Sequence, residues 1–351
     1  MAVYTSINDP SAFFQVALWT GNSSSTQAIT NDGTSNLQPD FVWLKRRSDA
    51  ENHTLADTSR GITKRMVSNS DAAENTADGV VSVQSDGFTV GGGYNGNTNG
   101  ATYVGWQWKA NGGTTASNTT GSTNVTTQVN STAGFSIITG NGSSSAGQTF
   151  GHGLSQAPEF FTFRMKDETA HWICYHKDMG PGHYLRLDQN VTKVSNTNIF
   201  SNTDPSSTLI YYGGNSMFTS NAPFICYAFH SVQGYSKFGT YTGNGSSDGP
   251  FIYTGFKPAY VVTKTIDTTA NQWAIKDHRR NPHNERTLSL YANLNNADDT
   301  GGGNIALDFL SNGFKCRKTD SQINENGTAY IYLAFAESPF VSSTGVPTVA
   351  E

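Results

Sequence analysis

The sequence predicts an all-β protein made of three tandem β-sandwich modules of the jelly-roll type. Short β-branched and aromatic runs alternate with clusters of Gly, Asn, Ser, Asp and Pro, a pattern typical of sandwiches and barrels. Glycine accounts for 36 of the 351 residues, and only 14% of the residues are charged. No segment keeps apolar residues at helical spacing over three turns, and one short phrase occurs three times. We therefore expect one sandwich for each copy of the phrase.

The repeated phrase is a Thr-Gly-Asn turn that follows a short apolar run. Its copies begin at Thr20, Thr139 and Thr242. Each copy is followed by a proline and an aromatic strand, at residues 39–42, 158–161 and 258–261. Each copy closes on a second aromatic strand, at residues 103–108, 224–229 and 330–335. The copies lie about a hundred residues apart, which is the size of a domain and not of a solenoid repeat. Each copy should therefore hold its own core.

The spacing of the copies predicts the domain boundaries. The modules are expected at residues 1–110, 135–235 and 236–340, with a C-terminal tail at 341–351. Residues 111–134 are almost all Gly, Ser, Thr, Asn and Val, a composition that predicts an extended connector or a flexible linker. The second and third modules meet almost directly, whereas the connector separates the first from them. We expect the first module to be attached more loosely than the other two.

Composition and charge exclude several classes of protein. The net charge of −5 gives no basic field that would attract nucleic acid. No run approaches the roughly 18 apolar residues of a membrane span, and residues 1–10 lack the basic and apolar regions of a signal peptide. The three cysteines, Cys174, Cys226 and Cys316, form an odd set without a Cys-x-x-Cys pair. They are expected to be buried free thiols of a protein made in a reducing cytoplasm.

Six segments of the sequence carry a resemblance to a known family, at residues 7–10, 13–21, 37–45, 85–91, 151–154 and 234–245. In this order they resemble a repeat of structural and tail-fibre-like proteins of marine tailed bacteriophages. The resemblance covers roughly residues 7 to 340 and implies a virion protein made in the host cytoplasm. It implies other virion proteins as partners, a homo-oligomer (a trimer by analogy with fibres) and contact with a host surface glycan. The family brings no catalytic residues to transfer.

Three functions remain open under this resemblance. The first is a tail fibre or fibre-like appendage that acts in assembly and host-surface adhesion, and it is the one that we favour. The second is a capsid decoration or cement protein. The third is a tailspike-like glycan hydrolase, which needs two carboxylates held across a sugar cleft. Because no copy of the repeat shows a distinctive acid pair, we expect a protein that is not an enzyme and uses no cofactor.

Catalytic and metal-binding motifs have simpler explanations in this sequence. Residues 245–249 match the Gly-x-Ser-x-Gly nucleophile pattern, but they lie in the repeated turn and not at a strand-to-helix elbow. Three histidines, His171, His176 and His183, are close in sequence, but zinc prefers more ligands at short spacing. Three acidic residues, Asp298, Asp299 and Asp308, could offer oxygens to calcium, but residues 300–303 between them look like a loop tip. We predict no catalytic residue and no metal site.

The most concentrated basic stretch, residues 276–283, is the best candidate for a binding site. Its candidate residues are His278, Arg279, Arg280 and His283. Arginine suits the recognition of carboxylates and phosphates because its planar fork can donate two parallel hydrogen bonds. These residues could dock onto an acidic neighbour or a sugar phosphate, or they could form a solvated loop. Most of the six tryptophans lie in strand patterns and are expected in the core.

Overall fold

The structure is a computed structural model that describes residues 4–76, 79–93, 95–215, 217–268, 271–299 and 303–348. These residues form an all-β fold, as the sequence predicts. The helical elements in the described ranges are two short 3₁₀ turns, Pro10–Ala12 and Lys177–Met179. No helix in the described part of the chain is long and apolar enough to cross a membrane.

The first unit comprises two packed sheets and a small strand pair. Its strands are β1 (Phe14–Thr20), β2 (Thr26–Ile29), β3 (Phe41–Arg46), β4 (Thr54–Asp57), β5 (Lys64–Arg65), β6 (Asn75–Thr76), β7 (Val80–Gln84), β8 (Gly87–Gly91) and β9 (Thr102–Trp108). The larger sheet has the order β1-β9-β3-β4, and the smaller sheet has the order β2-β8-β7. β5 and β6 pair with each other.

The second unit has a longer principal sheet. Its strands are β10 (Ala116–Asn118), β11 (Val125–Asn130), β12 (Phe135–Asn141), β13 (Gln148–Gly151), β14 (Phe160–Met165), β15 (Ile173–His176), β16 (His183–Arg186), β17 (Val194–Ser195), β18 (Leu209–Tyr212) and β19 (Pro223–Phe229). The principal sheet has the order β10-β11-β12-β19-β14-β15-β16-β17. β13 and β18 form the smaller sheet.

The third unit again has two sheets. Its strands are β20 (Ser236–Thr242), β21 (Phe251–Tyr253), β22 (Phe256–Thr265), β23 (Ala274–Asp277), β24 (Leu290–Tyr291), β25 (Leu307–Leu310), β26 (Gly313–Cys316) and β27 (Ala329–Pro339). The sheet orders are β20-β27-β22-β23-β24 and β21-β26-β25.

One antiparallel strand order occurs in all three larger sheets. It runs β1-β9-β3-β4, β12-β19-β14-β15 and β20-β27-β22-β23. The register is shared as well, because Phe41, Phe160 and Tyr260 lie opposite Trp108, Phe229 and Phe335. This register identifies the corresponding residues in the three units.

Each pair of sheets encloses its own apolar cluster, as the sequence predicts. In the first unit, Trp19 from the larger sheet packs edge-on against Phe88 from the smaller sheet, with ring centroids 5.6 Å apart. The second and third units have clusters around Phe150 and Phe314, respectively. Successive side chains of a strand point to opposite faces, so the other faces of the larger sheets must be buried elsewhere.

Those other faces meet in one shared cluster at the centre of the molecule. Trp108, Phe229 and Phe335 come from the closing strands of the three units, and the ring centroid of Phe335 lies 5.5 Å from that of Trp108 and 5.8 Å from that of Phe229. A cavity of about 50 Å³ lies within this cluster and is lined by apolar side chains apart from Thr162. The expectation of a loosely attached first module is therefore wrong, since its aromatic residues form part of the centre.

The segment predicted as a connector contributes two strands to the second unit. β11 pairs with β12 along its whole length, and β10 pairs with β11. The low apolar content of residues 111–134 suggested a linker, but backbone hydrogen bonds to a free strand edge do not require apolar side chains. The segment is therefore part of a sheet.

The structure also shifts the repeated turn of the second unit by two residues. The amide of Gly21 donates to Ala101, the amide of Gly243 to Thr328, and the amide of Gly142, not Gly140, makes the corresponding bond to Ala222. A Cβ atom on Gly21 would lie 2.2 Å from the carbonyl oxygen of Thr98. Glycine is therefore required in this turn because another backbone segment crosses it closely.

The shared cluster predicts cooperative unfolding of the whole chain. Replacing Phe335 with Ala should cost about 3–5 kcal/mol and lower the midpoint of a single calorimetric transition. Independent modules would instead give several transitions, of which only the third would shift. Phe314→Ala, in the third unit's own core, serves as the matched control for loss of a buried ring. A scan with separate transitions, only one of them displaced by Phe335→Ala, would contradict the shared core.

Candidate functional site

Neighbouring units meet through a side-chain contact that recurs at each junction. Trp172 of the second unit donates its indole N–H to the carbonyl oxygen of Val67 in the first unit at 2.8 Å. Trp273 of the third unit donates in the same way to Arg186 of the second unit at 2.9 Å. The strand register predicts the same contact at the junction between the first and third units.

At that third junction a histidine replaces the tryptophan. Trp43 donates its indole N–H to Nδ1 of His53 at 2.8 Å. Because Nδ1 accepts this bond, the neutral ring carries its proton on Nε2. Nε2 lies 3.0 Å from the carbonyl oxygen of Tyr291 in the third unit, so the imidazole donates where an indole donates elsewhere. Three equivalent contacts therefore close the units into a ring.

A backbone contact repeats around the same ring. Amide groups of Glu74, Lys193 and Asp298 donate to carbonyl oxygens of the next unit, at Lys166, Ile266 and Arg47, respectively. The donor–acceptor distances are 2.6, 3.0 and 2.8 Å. The repetition of this contact indicates approximate three-fold symmetry within a single chain.

Buried ion pairs reinforce two of the junctions. In the first unit, Arg60 Nε lies 2.5 Å from Asp57, and its Nη1 lies 2.7 Å from Glu74. The hydroxyl of Tyr227, from the second unit, donates to Asp57 at 2.7 Å. The side chains of Asp57 and Arg60 have no solvent exposure, so this network joins two units away from water.

The corresponding network in the third unit contains one of the predicted binding residues. Arg280 pairs with Asp277 and, at 2.8 Å, with Asp298. Trp106 of the first unit donates its indole N–H to Asp277 at 3.1 Å. Burial acts to raise the pKa of Asp277, but Arg280 outweighs it and holds the pKa below its ordinary value. The buried guanidinium of Arg280 is thus committed to internal contacts and does not face solvent.

The structure separates the other three predicted binding residues. His278 is half-buried, and its Nδ1 donates to the carbonyl oxygen of Ala259 at 3.1 Å. Arg279 forms an ion pair with Asp32 of the first unit. His283 is exposed. A docking role for this stretch stays a prediction that rests on Arg279 and His283.

The candidate metal ligands have separate partners. His171 Nδ1 lies 2.6 Å from Asp188, His176 Nδ1 accepts from the amide of Asp178 at 3.2 Å, and His183 Nδ1 lies 3.1 Å from the carbonyl oxygen of Met179. Within the described ranges, no group of three or more His, Cys, Asp or Glu side chains could hold a metal ion. The shared register places His176 at the position that Asp277 occupies in the third unit.

The candidate calcium ligands and the Gly-x-Ser-x-Gly segment have structural roles. Asp299 accepts from the hydroxyl of Tyr291 at 2.8 Å, and Asp308 lies 3.4 Å from Arg317. Residues 300–302 of the predicted loop tip lie outside the described residues. Residues 245–249 form the turn between β20 and β21, with strands on both sides. The turn therefore lacks the helix that a nucleophile elbow requires.

An open groove lies between the second and third units, beside β20. It consists of two adjoining hollows of about 430 and about 370 Å³. Lys177, Lys237 and Tyr253 line both hollows. No sequence pattern indicated this groove, because its walls come from two units and from an ordinary strand edge.

Exposed aromatic rings border the groove. The solvent-exposed fractions of Tyr4, Phe251 and Tyr253 are 51%, 45% and 54%, which is unusually high for large apolar side chains. Lys237 Nζ donates to the carbonyl oxygen of Tyr253 at 2.7 Å and lies 5.2 Å from the centroid of its ring. Exposed rings next to polar groups are a common feature of binding surfaces.

The charges in the groove nearly balance. Lys177 Nζ lies 3.1 Å from Glu159, which also accepts a hydrogen bond from the hydroxyl of Ser231. Partial burial raises the pKa of Asp178, an effect that Lys177 opposes and Glu159 increases. The groove therefore combines two carboxylates and two ammonium groups, and it favours no ligand of strong net charge.

The fold and its junctions define an all-β protein whose repeated sheets close a ring around a shared core. A family model described as "Domain of unknown function (DUF7483)" matches residues 9–339. The chain belongs to this family. No curated protein and no solved structure matches it.

The buried network at the first junction predicts a large effect of one substitution. Met179 stands in the second unit where Arg60 stands in the first. Replacing Arg60 with Met should reduce the free energy of unfolding by about 3–5 kcal/mol, because Asp57 and Glu74 then lack their partner. Urea denaturation measures the loss. The double replacement Asp57→His with Arg60→Met, which copies the second unit, should cost less, and an Arg60→Met loss below about 1 kcal/mol would contradict this account.

Buried histidines predict loss of stability in mild acid. Burial lowers the pKa of His152 to about 4, that of His176 to about 3 and that of His53 well below its ordinary value. In the unfolded chain these groups titrate near about 6.5. As the pH falls below that value the unfolded state binds protons first, so each histidine removes up to about 1.4 kcal/mol per pH unit until its folded pKa is reached.

Urea denaturation between pH 8 and pH 5 measures this dependence. His53→Gln serves as the comparison, because its amide can accept from Trp43 and donate to Tyr291 without titrating. This variant should show a smaller loss of stability on acidification than the natural chain. An unchanged pH dependence would exclude His53 as a contributor.

Proposed function

We propose that the chain is a structural protein of a bacteriophage virion, a tail fibre or fibre-like appendage that acts in assembly and in adhesion to the host surface. It is made in the host cytoplasm, resides in the virion and works with other virion proteins. The ordered sequence resemblance supports this role. A non-catalytic, cofactor-free protein is part of the same proposal.

Within this proposal the three units are tandem jelly-roll-like β-sandwiches, and the observation that carries the structural role is their closure into a ring. The acidic and basic side chains that could have formed a reactive centre, such as Asp57, Arg60 and Arg280, form buried ion pairs within their own units. Tyr227 and Trp106 of neighbouring units donate hydrogen bonds to these pairs at the junctions. The buried polar side chains of such a chain hold its units rigidly in place. Rigidity suits a particle component that must resist proteases and mechanical load.

Oligomerisation is the second element of the proposal. The ring gives a single chain the approximate three-fold symmetry that a fibre trimer obtains from three chains. A homotrimer of such rings would add a second level of symmetry, with contacts through the exposed rims. Sedimentation equilibrium distinguishes a single chain from three.

A capsid decoration protein is the first alternative, and the ring itself favours it. Three similar units around one axis match the three similar neighbours that surround a three-fold position on a shell. The fold would be the same, but the copy number would be far higher.

A glycan hydrolase is the second alternative, and the groove favours it. Glu159 and Asp178 approach each other in the second unit only, because the corresponding residues are Asp40 and Ser59 in the first unit and Ala259 and Arg279 in the third. Two acids across a sugar cleft are the usual requirement for glycoside hydrolysis.

Quantifying the chain in purified virions tests the proposed function. Mass spectrometry should find it at a handful of copies per particle, measured against the major capsid protein. Hundreds of copies would support decoration instead, and absence from the particle would overturn the virion role. Incubation with host surface polysaccharide should release no new reducing ends. Release that is lost in both Glu159→Gln and Asp178→Asn would establish the hydrolase.

A further inference from the structure

β20 is an edge strand whose outer side borders the groove. It pairs with β27 on one side only within the described residues. The amide of Gly243 points toward that partner sheet and donates to Thr328 at 2.9 Å, whereas the amide of Phe238 points away and donates to Ser231 Oγ at 3.2 Å. Because the direction alternates along an antiparallel strand, the amide and carbonyl groups of Thr240 and Thr242 face the groove.

The corresponding edge in the second unit is covered by the chain itself. Phe135 lies opposite Phe229 in the second unit, and Ser236 lies opposite Phe335 in the third. Because Phe229 and Phe335 occupy corresponding positions, β12 corresponds to β20 residue by residue. β11 pairs antiparallel with the outer side of β12. In this ladder Thr126 lies opposite Thr139, which is the counterpart of Thr240. The fold thus contains an example of this edge with a strand bound to it.

The exposed aromatic residues lie where the second unit is covered by the same segment. Phe251 and Tyr253 correspond to Thr149 and Gly151, because Ile252 and Phe150 hold the same place in their sheets. The carbonyl oxygen of Thr149 accepts from the amide of Thr123 at 2.8 Å. A Cβ atom on Gly151 would lie 2.3 Å from the side chain of Asn118. Residues 118–130 therefore cover both the strand edge and the adjoining sheet in the second unit.

The third unit has no such segment of its own. The link between β19 and β20 is only residues 230–235, whereas residues 109–134 separate β9 from β12. Within the short link, Val232 pairs with Ser236 and covers only the beginning of the edge. No strand among the described residues covers the outward groups of Thr240 and Thr242, so this part of the edge is open to a strand from a partner polypeptide.

The walls of the groove indicate the chemistry of that strand. In the second unit, the side-chain amide of Gln128 contacts the first unit. Its Nε2 donates to Asp40 at 2.7 Å, and its Oε1 accepts from the hydroxyl of Thr58 at 3.0 Å. The counterparts of Asp40 and Thr58 are Glu159 and Lys177, which already pair with each other. On a strand bound to β20, an uncharged polar side chain therefore suits the position that Gln128 occupies in β11. Small β-branched residues, like those of β11, suit the positions on either side of it.

We propose that the groove beside β20 binds an extended segment of a partner polypeptide as an added antiparallel strand, with an uncharged polar residue facing Glu159 and Lys177. Main-chain hydrogen bonds would supply the affinity, and Phe251 and Tyr253 would flank the segment, as in other cases of strand addition. This site gives the assembly role proposed above a specific contact. The strand-binding site depends on the proposed virion role only for the identification of its partner as another virion protein.

The test uses the full chain and a fluorescent synthetic peptide with the sequence of residues 121–131, which contains β11. Fluorescence anisotropy should show saturable binding, and hydrogen exchange should show slower exchange of the amides at residues 238–242 with peptide present. Thr240→Pro should weaken binding at least about tenfold, because it removes an outward N–H that β27 does not use. Lys64→Ala, a change of an exposed side chain in the first unit away from the groove, should alter binding less than about twofold.

A peptide that carries Glu in place of Gln128 should bind several-fold more weakly, because Lys177 is already paired with Glu159 and the added carboxylate would face Glu159 and Asp178. Hydrogen exchange keeps the test valid if Thr240→Pro fails to fold. No binding at about 1 mM peptide, or unchanged exchange at residues 238–242, would overturn the proposal. So would competition by soluble host polysaccharide, which would indicate a sugar site, or protection of this edge by self-association of the chain. Absence of the chain from virions would overturn the proposed function and leave the peptide result intact.

Discussion

Burial of both faces of the three larger sheets is the constraint on which the rest of this structure depends. One face of each sheet packs on its own smaller sheet, and the other packs on the two neighbouring units. Strands buried on both sides become continuous apolar runs instead of alternating ones, as β19 shows with six consecutive buried apolar residues from Phe224 to Phe229. Removing one unit would expose aromatic surface on the other two, so we expect no unit to be stable without its neighbours.

Polar contacts determine how the units are arranged around that core. Aromatic packing is weakly directional, whereas the bonds from Trp172, Trp273 and His53 to carbonyl oxygens of the next unit fix one orientation at every junction. The buried arginine networks act in the same way, because a misplaced unit would leave charges unpaired away from water. The order of the units is thus encoded by a small number of hydrogen bonds.

Departures from the three-fold pattern mark the places where the units have separate roles. The second unit carries its own covering segment, and the third unit leaves the same edge open beside Phe251 and Tyr253. An uncovered strand edge is a liability for aggregation. Lys237 moderates this liability at β20, because a charged side chain on an edge discourages indiscriminate pairing while a suitable strand can still bind.

The sequence by itself determined the all-β class and the burial of most tryptophans, because alternation and turn residues act over a few positions. It misplaced the turn of the second unit by two residues, since Gly140 and Gly142 fit the same local pattern. Only the tertiary structure decided that Arg280 is internal, that residues 111–134 supply strands and that the units share a core. Each of these depends on contacts between segments far apart in the chain, and no local pattern records which segments will meet.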